Sequence, residues 1–96
     1  MAVTVHIPSA LSSFAGGRGR VGLDRAATVR EALEALGALH PGVRDRVLTE
    51  QGDVRRHVNV FVGDESIRYT GGLETPLQDG AEVFVIAAVS GGSSRE

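Results

Sequence analysis

Val3, Val5 and Ile7 alternate with Thr4 and His6, and Pro8 closes the run. A period of two over β-branched residues predicts a half-buried strand. Ser9 to Arg20, which holds Ser12-Ser13 and Gly16-Gly17, reads as a loop. Val21 and Leu23 alternate with Gly22 and Asp24 as a second short strand, so the two strands form a hairpin with a long connection. At Thr28 the period becomes helical. Thr28 and Glu31 have the spacing of a capping box, which satisfies two backbone donors left open by the first turn. Val29, Ala32, Leu33, Leu36 and Leu39 form one apolar stripe, with Arg30, Glu31 and Glu34 on the other face. Gly37 weakens this helix by about 1 kcal/mol relative to alanine, and His40-Pro41-Gly42 stops it.

The pattern fades from Val43 to His57. Arg44 to Leu48 has room for one turn of helix, and Thr49 to Asp53 is a loop. Arg55-Arg56-His57 is a short basic run which, with acids interspersed nearby, reads as a solvated loop. Val58, Val60 and Val62 alternate with Asn59 and Phe61 as a clear strand, turned by Gly63-Asp64. Ser66 to Tyr69 predicts a short returning strand, Gly71-Gly72 a loop, and Thr75-Pro76-Leu77 a helical turn with proline at its start. Asp79-Gly80 is a turn signal that launches a last strand from Glu82 to about Val89.

One amphipathic helix and four or so strands bury their apolar faces as a two-layer α+β domain. Val3, Val5, Val58, Val60, Val83 and Val85 are the expected inward set against Val29, Leu33 and Leu36. The last strand is apolar on both faces, since Phe84, Ile86 and Ala88 oppose Val83, Val85 and Ala87. Such a strand is usually central. With only one helix to cover the sheet, the second face, carrying Phe61 and His6 beside Phe84 and Ile86, is expected to stay partly open; the alternatives are that the poorly patterned loops cover it or that it is an apolar contact patch for a partner.

Composition narrows the function classes. Ninety-six residues make one domain, burying only about 60–65% of the surface its unfolded chain exposes. A net charge of −2 gives no footprint for nucleic acid. The absence of cysteine removes disulfides, thiolate nucleophiles and cysteine-based metal sites. All ten basic residues are arginine, so no lysine side chain is available for an isopeptide link. The N-terminus lacks the pattern of a signal peptide, and no apolar run approaches the roughly 20 residues of a membrane helix. The expectation is a cytoplasmic protein that binds neither membrane nor nucleic acid.

No enzyme site emerges. His6, His40 and His57 lack metal-ligand spacing. Ser12, Ser13, Ser90, Ser93 and Ser94 have no base placed beside them. Asp64-Glu65 reads as a turn, and no glycine pair has phosphate-loop spacing. Tyr69 fits a packed aromatic as well as a contact residue. The chain is therefore expected not to be an enzyme, to use no catalytic residue of its own, and to hold no cofactor or metal.

What remains is the C-terminal glycine pair. Gly16-Gly17 and Gly71-Gly72 fall between elements and need only a turn. Gly91-Gly92 follows the last strand. Extended, Ala88 to Gly92 reaches ~17 Å, and without Cβ atoms the last two residues can enter a channel that excludes every other residue.

This ending, with Leu73 to Val83 before it, resembles the ubiquitin-like β-grasp sulfur carriers of the MoaD/ThiS family. Val58 to Tyr69 with Gly71-Gly72-Leu73 look most like the carriers that serve cysteine biosynthesis in actinobacteria. The resemblance implies a β-grasp domain over 1–90, with a mixed four- to five-stranded sheet and one main helix packed on one face. A flexible tail over 91–96 would carry Gly-Gly and a four-residue extension. It also implies a function. An E1-like adenylating and sulfurtransferase enzyme, using ATP and magnesium, would activate the Gly92 carboxylate and convert it to a thiocarboxylate. Val89, Ser90, Gly91 and Gly92 would enter the partner's active site, and Phe61, Phe84 and Ile86 would dock. The sulfur would pass to a biosynthetic enzyme, such as a pyridoxal-phosphate-dependent cysteine synthase, and a metalloprotease would release product.

In this chain Ser93-Ser94-Arg95-Glu96 follows Gly92, so a protease, such as that metalloprotease, is expected to remove residues 93–96 and expose the Gly92 carboxylate. The alternatives are a non-native tail, the small subunit of a molybdopterin synthase, and a ubiquitin-like binding module that docks through Phe61, Phe84 and Ile86 without carrying sulfur.

Overall fold

A computed structural model describes residues 2–87. Gly91, Gly92 and the neighbouring Val89 and Ser90 lie outside the described residues, as does the extension 93–96. The strands are β1 (Val3–His6), β2 (Arg20–Leu23), β3 (Val58–Val62), β4 (Glu65–Ser66) and β5 (Ala81–Ala87). They form one sheet in the order β2-β1-β5-β3-β4. β1 pairs with β2 antiparallel and with β5 parallel, and β3 pairs antiparallel with β5 and β4. The sheet is thus mixed and five-stranded, with β5 at its centre, as its two apolar faces require. This is the ubiquitin-like β-grasp arrangement.

The inward set is as expected. Val3, Val5, Val58, Val60, Val83 and Val85 are at most 3% exposed. They pack against Val29, Leu33 and Leu36 of α2 (Val29–Leu39). Thr28 caps that helix: its Oγ1 accepts from the Glu31 backbone N–H at 3.2 Å. The reciprocal bond goes one residue earlier than a strict capping box, from the Ala27 N–H to Glu31 Oε1 at 2.9 Å. Leu39 departs from the predicted stripe and is 59% exposed. The buried face centres on Leu33 and Leu36 and turns toward Gly37, leaving Leu39 on its far edge in the last turn.

Several local expectations are corrected. The stretch after β1 is not all loop. It holds α1 (Ser9–Ser12) and a 3-10 turn at Ser13–Ala15, which bury Leu11 and Ala15, four residues apart. The single turn expected at Arg44–Leu48 is part of a full short helix, α3 (Pro41–Val47). Proline at its first position has no N–H to leave unsatisfied, so His40-Pro41 stops one helix and starts the next. Only Glu65 and Ser66 pair with β3, while Ile67–Tyr69 is a 3-10 turn that buries Ile67. Thr75-Pro76-Leu77 is extended rather than helical. Pro76 bridges Thr28, and the Leu77 N–H donates to the Ala27 carbonyl at 2.9 Å. The 3-10 turn lies just before it, at Gly72–Glu74. The last strand starts one residue earlier than expected, at Ala81, and is described as far as Ala87.

α3 explains Gly37. A Cβ there would stand 2.6 Å from Cδ and 2.7 Å from Cβ of Arg44. The glycine lets the Arg44 chain cross α2 and reach Glu34, donating through its Nε at 3.0 Å and a terminal nitrogen at 3.2 Å.

Candidate docking face and the exit of the central strand

Period two sends Glu82, Phe84 and Ile86 of β5 to the face away from α2, together with Thr4 and His6 of β1 and Asn59 and Phe61 of β3. Register then sets the neighbours. Phe84 lies opposite Phe61 on one side and His6 on the other, so three rings stand in a row across β3, β5 and β1. The His6 and Phe84 rings are stacked, with centroids 4.2 Å apart and planes 9° from parallel. His6 Nε2 lies 2.7 Å from Glu82 Oε1, where an imidazole N–H donates to the carboxylate. Phe84 is thereby held from one side.

No element covers this face among the described residues. Phe61 and Phe84 are half-buried and Ile86 is 48% exposed. A shallow depression of about 350 Å³ lies between Phe61, Phe84 and Ile86, with Gly63 and Asp64 at its rim. Phe61, Phe84 and Ile86, the residues expected to dock, are therefore brought together on one surface. Tyr69, 88% exposed, belongs to the turn after β4 and is no core aromatic.

The same strand sets where the tail begins. Ala87, the last described residue of β5, pairs with Val58, the first residue of β3, which follows the loop that carries Arg55, Arg56 and His57. β1 pairs with the first half of β5, Ala81 to Phe84, and β3 with Val83 to Ala87, so at Ala87 the strand is held on the β3 edge.

Among the described residues no three His, Cys, Asp or Glu side chains cluster as a metal site would require. No helix there is long and apolar enough to cross a membrane. Two groups have clearly displaced acidities. The Glu34 carboxyl is held below its usual range, first by its hydrogen bond with Arg44, against a weaker opposing effect of burial, and then by the charges of Arg44 and Arg30. The Arg44 guanidinium is raised by the same contact. Neither belongs to the docking face.

Sheet order, central β5 and an open aromatic face define a ubiquitin-like β-grasp protein. The chain belongs to the ThiS family, whose model matches residues 5–92. It is a homologue of the sulfur carrier protein CysO of Mycobacterium tuberculosis, with 36% identity over 94 residues, covering 96% of this chain and all of the relative. The crystal structure of the Amycolatopsis orientalis BexX/CysO complex contains a chain that superposes with a TM-score of 0.84 and 38% identity, covering 94% of this chain and 99% of that one. SAMP1 of Haloferax volcanii superposes with a TM-score of 0.82 and 30% identity, covering 96% of this chain and all of that one.

Two features near the strand are not legible in the sequence, and one of them belongs to the aromatic face. Glu82 shares the parity of Phe84, but its contact with His6 depends on the parallel β1–β5 pairing, which alternation alone does not specify. The other lies on the helix side of the sheet: the run Arg55-Arg56-His57 is expected to be a solvated loop, yet Arg55 Nε donates to the Asp45 carbonyl at 2.8 Å.

Proposed function

We propose that this protein is a sulfur carrier whose Gly92 carboxylate is the working group. The observation that supports it most is the family match ending on Gly92, just beyond a strand anchored at the centre of the sheet. The relatives named as sulfur carriers span the whole fold.

The chemistry follows from the carboxylate. It is a poor electrophile, so an E1-like enzyme with ATP and magnesium joins it to the α-phosphorus and releases pyrophosphate. A sulfur nucleophile then attacks the acyl carbon of the adenylate, AMP leaves, and Gly92 carries a thiocarboxylate. The domain supplies position. Phe61, Phe84 and Ile86 dock on the activating enzyme, and Val89 to Gly92 pass down its channel, where only glycine fits at the end. The thiocarboxylate sulfur is then delivered to a biosynthetic enzyme making cysteine or another sulfur-containing metabolite. For cysteine, the acceptor is an aminoacrylate held on a pyridoxal phosphate enzyme, and a metalloprotease releases the product. Activation requires a chain that ends at Gly92, so residues 93–96 are removed first by a protease. ATP, magnesium and pyridoxal phosphate belong to the partners, and the carrier acts with them in the cytoplasm.

The activation step is tested by ATP–pyrophosphate exchange with the activating enzyme of the same genome. A chain ending at Gly92 supports exchange, whereas the chain ending at Glu96 does not. Equal exchange with both would refute the need for a free Gly92 carboxylate.

A further inference from the structure

A second cavity, of about 440 Å³, lies on the helix side of the sheet, between β3, the loop before it and the two 3-10 turns that follow β4. Its apolar lining includes Val58 and Ile67, and four arginines surround it: Arg30, Arg55, Arg56 and Arg68. That is four of the ten arginines of a chain whose net charge is −2. Asp53 and Glu74 also line the cavity, so its charged side chains sum to +2. Glu74 is engaged, since Arg30 Nε donates to its Oε2 at 2.7 Å, and Arg55 Nε donates to the Asp45 carbonyl at 2.8 Å. Arg56 and Arg68 are exposed, and neither forms an ion pair among the described residues. The cavity thus has two fixed arginines, two uncommitted ones and an apolar interior.

Its position gives it a use. Val58, which lines the cavity, is the register partner of Ala87, the last described residue before the tail. A group seated there lies at the root of the segment that carries Gly92. We infer that this cavity binds an acidic segment of the partner that receives the tail, with an apolar side chain resting against Val54 and Leu73 over the floor formed by Val58 and Ile67, and carboxylates meeting Arg56 and Arg68. The charge is complementary, and guanidinium groups pair with carboxylates in bidentate geometry. The site is separate from the aromatic docking face, which lies on the opposite side of the sheet. Two contacts on opposite faces fix the direction in which the tail leaves. This role at the tail root rests on the carrier reading; the binding itself does not.

The full chain, labelled with 15N, is titrated with an acidic pentapeptide holding one central leucine between two pairs of glutamates. The expected result is amide shifts confined to residues 54–58, 67–68 and 71–74, weakening steeply with salt, and reduced about tenfold or more in the Arg56→Glu, Arg68→Glu double variant. The Arg56→Gln, Arg68→Gln variant, which adds no new charge, gives an intermediate loss. Equal shifts from the lysine-for-glutamate peptide would overturn the inference. Equal shifts from inorganic phosphate would make this a small-anion site instead. Cavity shifts that grow with protein concentration alone would make the occupant a second copy of the chain. In the exchange assay, on chains ending at Gly92, the double variant raises KM about tenfold with kcat unchanged. No exchange with the parent chain refutes the carrier reading and leaves the titration to judge the cavity. Normal exchange with an unchanged KM in the double variant refutes the role at the tail root.

Discussion

His6 and Phe84 stack face to face across the β1–β5 pair, 4.2 Å between centroids, while His6 Nε2 meets Glu82 at 2.7 Å. An aromatic ring on an open sheet face is thus held in one orientation by a polar neighbour. Preorganisation of this kind lowers the ordering cost of binding. Replacing Phe84 with aspartate is expected to weaken binding to the activating enzyme by about tenfold or more. Because Phe84 is only half-buried, the melting temperature should fall by no more than a few degrees. Calorimetric titration and a thermal melt check the two halves. A fall in stability without a fall in affinity would make Phe84 a core residue.

Gly37 sets packing against propensity. Alanine should gain about 1 kcal/mol in helix propensity, but its Cβ would stand 2.6 Å from the Arg44 chain. Overpacking of that kind costs about 1–3 kcal/mol. The Gly37→Ala variant is therefore expected to be destabilised, or at best neutral, in urea unfolding. A gain of the full propensity value would show that α3 does not depend on this close approach.

The Glu34–Arg44 contact predicts a pH dependence. The Glu34 carboxyl is lowered in the folded state, chiefly by the hydrogen bond from Arg44. Its contribution is therefore fully present above the ordinary carboxylate pKa and is lost as pH falls through the lowered folded value. Urea midpoints of the parent and Glu34→Gln chains should differ near neutrality and converge below about pH 4. A difference that stays constant through that range would contradict the assignment.

The cap at Thr28 is a local test. Its Oγ1 accepts from the Glu31 N–H, and Thr28 also bridges Pro76. Thr28→Ala should cost about 1 kcal/mol, read from the urea midpoint. No change would mean that the Thr28–Pro76 bridge holds the helix start without the hydroxyl.

Much of this architecture was legible because period two and period 3.6 are strong signals. Val58-Asn59-Val60-Phe61-Val62 alternates cleanly, and Thr28 with Glu31 marks the start of α2. The double-faced apolarity of Val83 to Ile86 identified the central strand. What stayed hidden depends on tertiary partners. Leu11 and Ala15 sit among serines and glycines, so their helical spacing was masked. α3 looked weak because Pro41 and Gly42 read as breakers, although proline suits a first helical position and Gly42 lies close against Phe14. Phe61, Phe84 and Ile86 could be found from alternation alone. The arginine-lined cavity could not, since it gathers residues from α2, the loop before β3, β3 itself and the two 3-10 turns after β4.

The central claim is that Gly92 carries sulfur. Its most direct test is the intact mass of a chain ending at Gly92 after incubation with the activating enzyme of the same genome, ATP, magnesium and sulfide. The account predicts a mass gain equal to one oxygen replaced by one sulfur, lost on omission of ATP and absent from a Gly92→Val variant that melts at the parent temperature. An unchanged mass in the parent chain, with an activating enzyme shown to be competent, would contradict it and leave a β-grasp binding module.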